Sequence, residues 1–346
     1  MTSLCLFFSC LKDFKSEYNW KVYDAEETGL SEIGETFNKI LIEEDAIYLM
    51  GNIGGTDLTK SKSRVYKSKN YGRSWIEEYS GNGNIADGYF TSNELNLFKE
   101  VYFDSSLDNT SLSLINRDSV IHSFKVNSSI KGVFIDNYGK GAVVVNNSFL
   151  AKDNAIFWTT DNFKIYDSIY VGKPIKKSRF FDSKVYFLTY ELIRENYKVQ
   201  EKNEIYIIDK AGNQHFLQMK SNVEDFIVDN EGVFLLRKQQ GIVIDHFSGK
   251  EMKMTINVTK ETNQVPQKIY KYKSFIVVLT SALNKSGLGG FGGSEYKLHL
   301  SFDDGQTFKQ VKLPINDFVG PIGFYKDEKI VIYSGAGRVS ICDLKG

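Results

Sequence analysis

Ser301-Phe302-Asp303-Asp304-Gly305-Gln306-Thr307-Phe308 reads Ser-x-Asp-x-Gly-x-Thr-aromatic, and the chain uses that pattern more than once. Ser68-Lys69-Asn70-Tyr71-Gly72-Arg73-Ser74-Trp75 repeats it with Asn in place of Asp. Thr159-Thr160-Asp161-Asn162-Phe163-Lys164-Ile165-Tyr166 is a third copy that lacks the glycine. Such a peptide suits a tight connection between two strands. The carboxylate or amide at its third position accepts backbone N–H groups inside the turn. The glycine takes a backbone conformation that costs other residues energy, and the closing aromatic packs back on the sheet. The residues expected to build these turns are Ser68, Asn70, Gly72 and Trp75, then Thr159 and Asp161, then Ser301, Asp303, Gly305 and Phe308.

Thr159 follows Ser68 by 91 positions, and Ser301 follows Thr159 by 142. Two and three steps of roughly 46 residues fit those intervals, the length of a four-stranded propeller blade. The skipped positions carry weaker turns near 115–119, 209–212 and 245–249, and a last one begins at Asp343. Between them run short segments rich in Val, Ile, Tyr and Phe, such as 39–42, 46–50, 132–135, 142–145, 185–189, 204–208, 232–236, 275–280 and 329–334. Short β-branched and aromatic runs bounded by Gly, Asn, Asp and Ser read as strands. Turns such as Asp136-Asn137-Tyr138-Gly139 join them into hairpins, since Asn and Gly tolerate positive φ.

The octapeptides resemble Asp-boxes, the BNR repeats of sialidase-like β-propellers. The resemblance implies a fold and no reaction. It predicts an all-β chain folded as a single propeller of seven four-stranded blades. The turn at Asp343 has no strand after it, whereas Tyr18-Asn19-Trp20-Lys21-Val22-Tyr23 resembles the strands that follow the good turns. The N-terminal strand is therefore expected to complete the last blade and close the ring. This divides the chain into a leader, 1–17, and a propeller, 18–346.

Composition narrows the function. Lys+Arg and Asp+Glu both number 43, so the chain lacks the basic excess of a nucleic-acid binder. No apolar run is long enough for a membrane-spanning helix. The start, Met1-Thr2-Ser3-Leu4-Cys5-Leu6-Phe7-Phe8-Ser9-Cys10, resembles a degenerate bacterial lipobox, which makes Cys10 the expected lipidation site. That reading places the protein in the bacterial cell envelope or periplasm, with the cytoplasm as the alternative.

Three connections between second and third strands look long: 52–63, 191–203 and 281–294. All should project from the face opposite the octapeptide turns. Long loops are uncommon unless functional or disordered. The expected partner-binding residues are Asp57, Lys60, Lys62, Glu191, Glu195, Leu288 and Phe291, with Leu288 and Phe291 as apolar anchors. Lys60, Lys62, Arg64, Lys173, Lys176 and Lys177 gather near the same face and could steer an acidic partner. Gly287-x-Gly289-x-x-Gly292 matches a dinucleotide fingerprint only formally, since a strand rather than a helix follows it.

No catalytic set is legible. A sialidase needs an arginine triad, a Tyr–Glu pair and an acid/base Asp. The seven arginines form no such triad on the expected face, and the family's Arg-Ile-Pro element is absent. Asp57, Glu191 and Glu195 could supply a glycosidase carboxylate pair, a weak signal among 43 acidic residues. His122, His215, His246 and His299 are scattered without metal-ligand spacing, so neither a metal nor a cofactor is expected. The reading is a non-catalytic binding propeller that docks a protein, as an envelope immunity or inhibitor protein or an assembly factor would, and is otherwise monomeric. The alternative is a carbohydrate-active propeller that hydrolyses or binds glycans.

Overall fold

The computed structural model describes residues 20–30, 35–43, 45–54, 58–102, 110–116, 119–125, 129–136, 138–146, 154–164, 166–195, 198–218, 222–283, 294–313, 319–325, 329–334 and 337–343. Strands dominate them, and they form seven four-stranded antiparallel sheets in which chain neighbours are sheet neighbours. This is the seven-bladed propeller that the repeat predicts. Blades one to six span 35–82, 84–125, 129–170, 175–218, 223–259 and 264–312. Blade seven takes three strands from 319–343 and its fourth from the N-terminus.

That fourth strand is the clasp, Trp20–Tyr23. It pairs antiparallel with Arg338–Asp343, so that Trp20 faces Cys342 and Tyr23 faces Val339. Trp20 packs on the core between blades six and seven. A one-turn helix, Ala25–Thr28, follows. Thr28 donates its hydroxyl to Gly337 O at 2.8 Å, and its carbonyl accepts Trp75 N at 3.2 Å. The closing segment thereby ties blade seven to the octapeptide turn of blade one.

Each interface between adjacent blades holds one apolar cluster, and the seven clusters follow one another round the ring. Middle strands are buried on both sides and read as continuous apolar runs; Gly141–Asn146 is buried throughout. Fourth strands face water and are polar, as in Ile76–Asn82. The seven first strands line the axis: Glu35–Glu43, Asn84–Thr91, Ser129–Ile135, Ile175–Phe181, Val223–Asp229, Gln264–Tyr272 and Val319–Tyr325. Because strands alternate in direction, first-to-second and third-to-fourth turns share one face, here the turn face. Second-to-third connections and those between blades share the other, the loop face.

The three octapeptides are third-to-fourth turns with one hydrogen-bond scheme. Ser301 Oγ donates to Asp303 Oδ1 at 2.7 Å and accepts Gly305 N at 2.8 Å, while Asp303 accepts Thr307 N and Oγ1 at 2.9 and 2.6 Å. Ser68 Oγ bonds Asn70 Oδ1 and Gly72 N at 2.9 and 2.8 Å, and Ser74 N donates to Asn70 at 3.0 Å. The bonds from Thr307 and Ser301 hold the Asp303 carboxyl at about 2, below the usual carboxylate range. In the third copy Thr159 Oγ1 accepts Phe163 N at 2.7 Å. Phe163 keeps the left-handed backbone there, φ 65° against 87° and 88° at Gly72 and Gly305. It is fully buried against Phe98, so the lost glycine is exchanged for an aromatic core contact.

One connection departs from expectation. Residues 191–195 and 198–203 are strand rather than loop. Lys184–Glu195 and Lys198–Asp209 continue pairing through Glu191↔Lys202 to Glu195↔Lys198, beyond the ends of both neighbouring strands. Opposite charges stand at paired positions along this ribbon, which favours pairing. Polar composition concealed the strand character.

Candidate functional site

Every first strand carries a register shift near its loop-face end, at Phe37/Lys39, Ile85/Asp87, Ile130/Gly132, Ile175/Lys177, Val223/Asp225, Pro266/Lys268 and Val319/Ile322. A bulge adds one residue and re-aims the side chains beside it. First strands are also sheet edges, with backbone N–H groups that need acceptors outside their own blade. Two aspartates immediately after the bulge supply them. Asp87 accepts Val133 N of blade three at 3.2 Å and pairs with Lys39 of blade one. Asp225 accepts Ile269 N of blade six at 3.1 Å and Arg179 Nη2 of blade four at 2.8 Å. Each carboxylate thus couples three consecutive blades at the channel wall. Burial lowers the Lys39 pKa to about 8. Burial also lowers that of Lys268, with Lys177 adding repulsion.

Toward the turn face the channel opens into a cavity of about 650 Å³ between blades one and four. Tyr89, Phe134, Trp158 and Phe180 are among its walls, and Lys39 also contributes to its lining. Phe134 and Phe180 stack at 6.0 Å, and Trp158 stands 6.1 Å from Phe180. The Tyr89 hydroxyl donates to Asn162 Oδ1, and burial raises its pKa. Trp158 is 3% exposed, and its indole N–H has no acceptor among the described residues. The rim carries Glu43, Asp136, Lys140 and Lys210. A second hollow of about 470 Å³ is lined by Arg179, Ile227, Lys271 and Asp304, and Phe180 lines both. In it Lys271 lies 2.6 Å from Asp229 and 4.3 Å from the Phe234 ring.

The described residues expected to bind a partner lie elsewhere. Lys60 ends a short helical turn and Lys62 opens the third strand of blade one, both exposed on the loop face. Glu191 and Glu195 stand on the ribbon of blade four. Blades two and three separate these two groups along the ring, and the structure does not join them in one site. Asp57, Leu288, Phe291 and Cys10 lie outside the described residues. Three of the six basic residues expected near that face, Arg64, Lys173 and Lys176, are engaged in ion pairs within the fold. Lys176 reaches Glu201 and Glu224 at 3.1 and 3.2 Å, Lys173 reaches Glu204 at 3.3 Å, and Arg64 reaches Glu77 at 3.3 Å. For these three residues the acidic partners stand 13 to 48 positions away in the chain, so the sequence concealed the pairing.

Sequence reading missed the cavity. A signal was available only for the channel wall nearer the loop face, where Lys39, Asp87, Asp225 and Lys268 each follow the bulge at the same blade position. The aromatic walls had none, because Phe134 and Trp158 look like core residues. Among the described residues no group of three His, Cys, Asp or Glu side chains is placed to hold a metal ion. No described helix is long and apolar enough to cross a membrane.

No protein-family profile matches the chain, and no curated protein sequence matches it. Solved structures do. YCF48 bound to D1 peptide superposes with a TM-score of 0.63 at 12% identity, covering 95% of this chain and 98% of that one. A catalytically inactive virginiamycin B lyase from Staphylococcus aureus with quinupristin gives 0.61 at 11% identity, covering 94% and 100%. BamB from Moraxella catarrhalis gives 0.51 at 9%, covering 90% and 97%. At these identities the likeness is one of fold.

Proposed function

We propose that this protein is a non-catalytic binding propeller whose partner is another protein. The observation that carries the reading is the aromatic cavity at the channel mouth, which combines apolar walls with a few polar groups as binding sites do. A propeller of the same fold bound to a peptide supports it. The loop face, with Lys60, Lys62 and the ribbon bearing Glu191 and Glu195, is a second docking surface in this proposal, together with Asp57, Leu288 and Phe291. We further propose that the three octapeptide turns are Asp-boxes, an assignment supported by their common hydrogen-bond scheme. The cellular role proposed is inhibition or assembly in a bacterial envelope, on a lipid anchor at Cys10.

A second reading, glycan binding, draws on Tyr138, which is 83% exposed in the turn beside the cavity and could stack on a sugar ring. Affinity capture of the tagged full chain from its native cells, with mass spectrometry, separates the two. A single stoichiometric protein retained at moderate salt supports protein docking. An empty capture with glycan-array binding, or turnover of a glycoside panel, overturns it. Cys10→Ser should release an anchored protein from the membrane fraction; unchanged fractionation removes the anchor.

A further inference from the structure

Charge is unbalanced along one arc of the channel wall. The seven residues that follow the first-strand bulges are Lys39, Asp87, Gly132, Lys177, Asp225, Lys268 and Ile322. Lys39 and Asp87 pair with each other. In blades four to six the cations are in excess. Both oxygens of Asp225 are engaged, one by Arg179 Nη2 at 2.8 Å and the other by Ile269 N at 3.1 Å. Lys177 and Lys268 stand one blade to either side of Asp225, and among the described residues neither makes a hydrogen bond or an ion pair. Lys268 is half-buried; Lys177 and Arg179 repel it, and Asp225 is the carboxylate that attracts it. Three positive charges therefore meet one negative. Acids do stand nearby, but they are directed away from the axis: Glu201 and Glu224 both go to Lys176.

A lysine withdrawn from water is normally paired, because an unmatched charge there is costly. Two such lysines flanking one saturated carboxylate call for an anion from outside the chain. We propose that Lys177 and Lys268 hold the phosphate group of a small ligand near the loop-face end of the channel, beside the Arg179–Asp225 pair. The excess of two positive charges matches a dianion better than a singly charged carboxylate. Lysine ammonium groups suit phosphate, which they bind as point charges without demanding one planar geometry. Free phosphate and a phosphomonoester share this chemistry. The site belongs to the end of the channel away from the aromatic cavity, and it stands independently of the protein-docking reading.

The test is isothermal titration calorimetry of the full chain at about pH 8 and constant ionic strength, with inorganic phosphate in one arm and phenyl phosphate in the other. At least one of the two should bind saturably with one equivalent per chain, and acetate should bind at least about tenfold more weakly, a difference of ~1.4 kcal/mol. Tighter binding of inorganic phosphate identifies the free ion as the ligand; tighter binding of phenyl phosphate identifies a phosphomonoester. Lys177→Gln and Lys268→Gln should each weaken binding at least tenfold. Each removes a repulsion, so circular dichroism should show both folded. Lys268→Arg keeps the charge and should bind within about threefold of the wild type. Lys250→Gln, at an exposed position in a turn of the opposite face, should change nothing. Failure of both phosphate probes to bind the wild type, equal binding of acetate, or unchanged affinity in the two glutamine variants overturns the proposal. The comparison of phosphate with acetate in the wild type decides it even where a variant fails to fold.

Discussion

His299 should make this protein acid-sensitive in a window set by its burial. It lies on the third strand of blade six, 1% exposed, with Nε2 3.0 Å from Gln264 Oε1 and 3.2 Å from Thr280 Oγ1. Burial depresses its pKa to about 4; Glu261 pulls it upward and Lys297 downward. An unfolded histidine titrates near ~6.5. On acidification the unfolded chain therefore takes the proton first. The stability that neutral His299 preserves is fully present above about pH 6.5 and is lost as pH falls toward 4. A displacement of roughly 2.5 units corresponds to about 3 kcal/mol at the lower end, and about 2 kcal/mol is already lost by pH 5. Urea unfolding at pH 7 and pH 5, followed by tryptophan fluorescence, measures the loss in the wild type and in His299→Gln. Glutamine keeps an amide donor toward Gln264 and does not titrate. Carboxylates contribute to both proteins and cancel in the comparison. The wild type should lose about 2 kcal/mol more than the variant over that interval. Equal losses would refute the claim that His299 is held neutral by its surroundings.

Further outcomes are expected at four other positions. Burial pushes the Cys342 thiol up to about 12 beneath the N-terminal clasp; in a Cys5→Ser, Cys10→Ser background iodoacetamide should leave it unmodified, and deleting residues 20–23 should make it react, as intact-mass spectrometry will report. Gly305→Ala should lower stability by about 1–2 kcal/mol in urea unfolding, because φ is 88° there and a Cβ would stand 3.0 Å from Ile256. Phe163→Gly should also destabilise, since relief of a similar backbone cost of ~1 kcal/mol is outweighed by loss of a buried ring; a stabilised variant in thermal melts would contradict the exchange argued above. Asp225→Ala should cost about 3 kcal/mol or more, because it strands Arg179 and the Ile269 N–H at the channel wall; Asp225→Asn should lose less, and equal midpoints for the two would argue against the charge.

The blade repeat was legible because it is written locally. Ser301, Asp303 and Gly305 bond within one turn, so their types and spacing report the turn wherever it occurs. The clasp was legible for a similar reason. Trp20–Tyr23 repeats the character of the fourth strands, and a closing turn without a strand required one. The ribbon formed by 191–195 and 198–203 was not, since every pair in it includes a charged or polar residue, which composition presents as a loop.

Local bonding therefore determined the all-β class, the seven blades and the order of strands from sequence alone. The channel was decided only by the closed ring. Asp87 meets Val133 and Asp225 meets Ile269 across 46 and 44 positions, because adjacent first strands come together at the axis. The cavity likewise draws Tyr89, Phe134, Trp158 and Phe180 from three blades. Nothing near any one of them in the chain distinguishes a wall of that cavity from the core, because the distinction lies in what the neighbouring blade leaves uncovered.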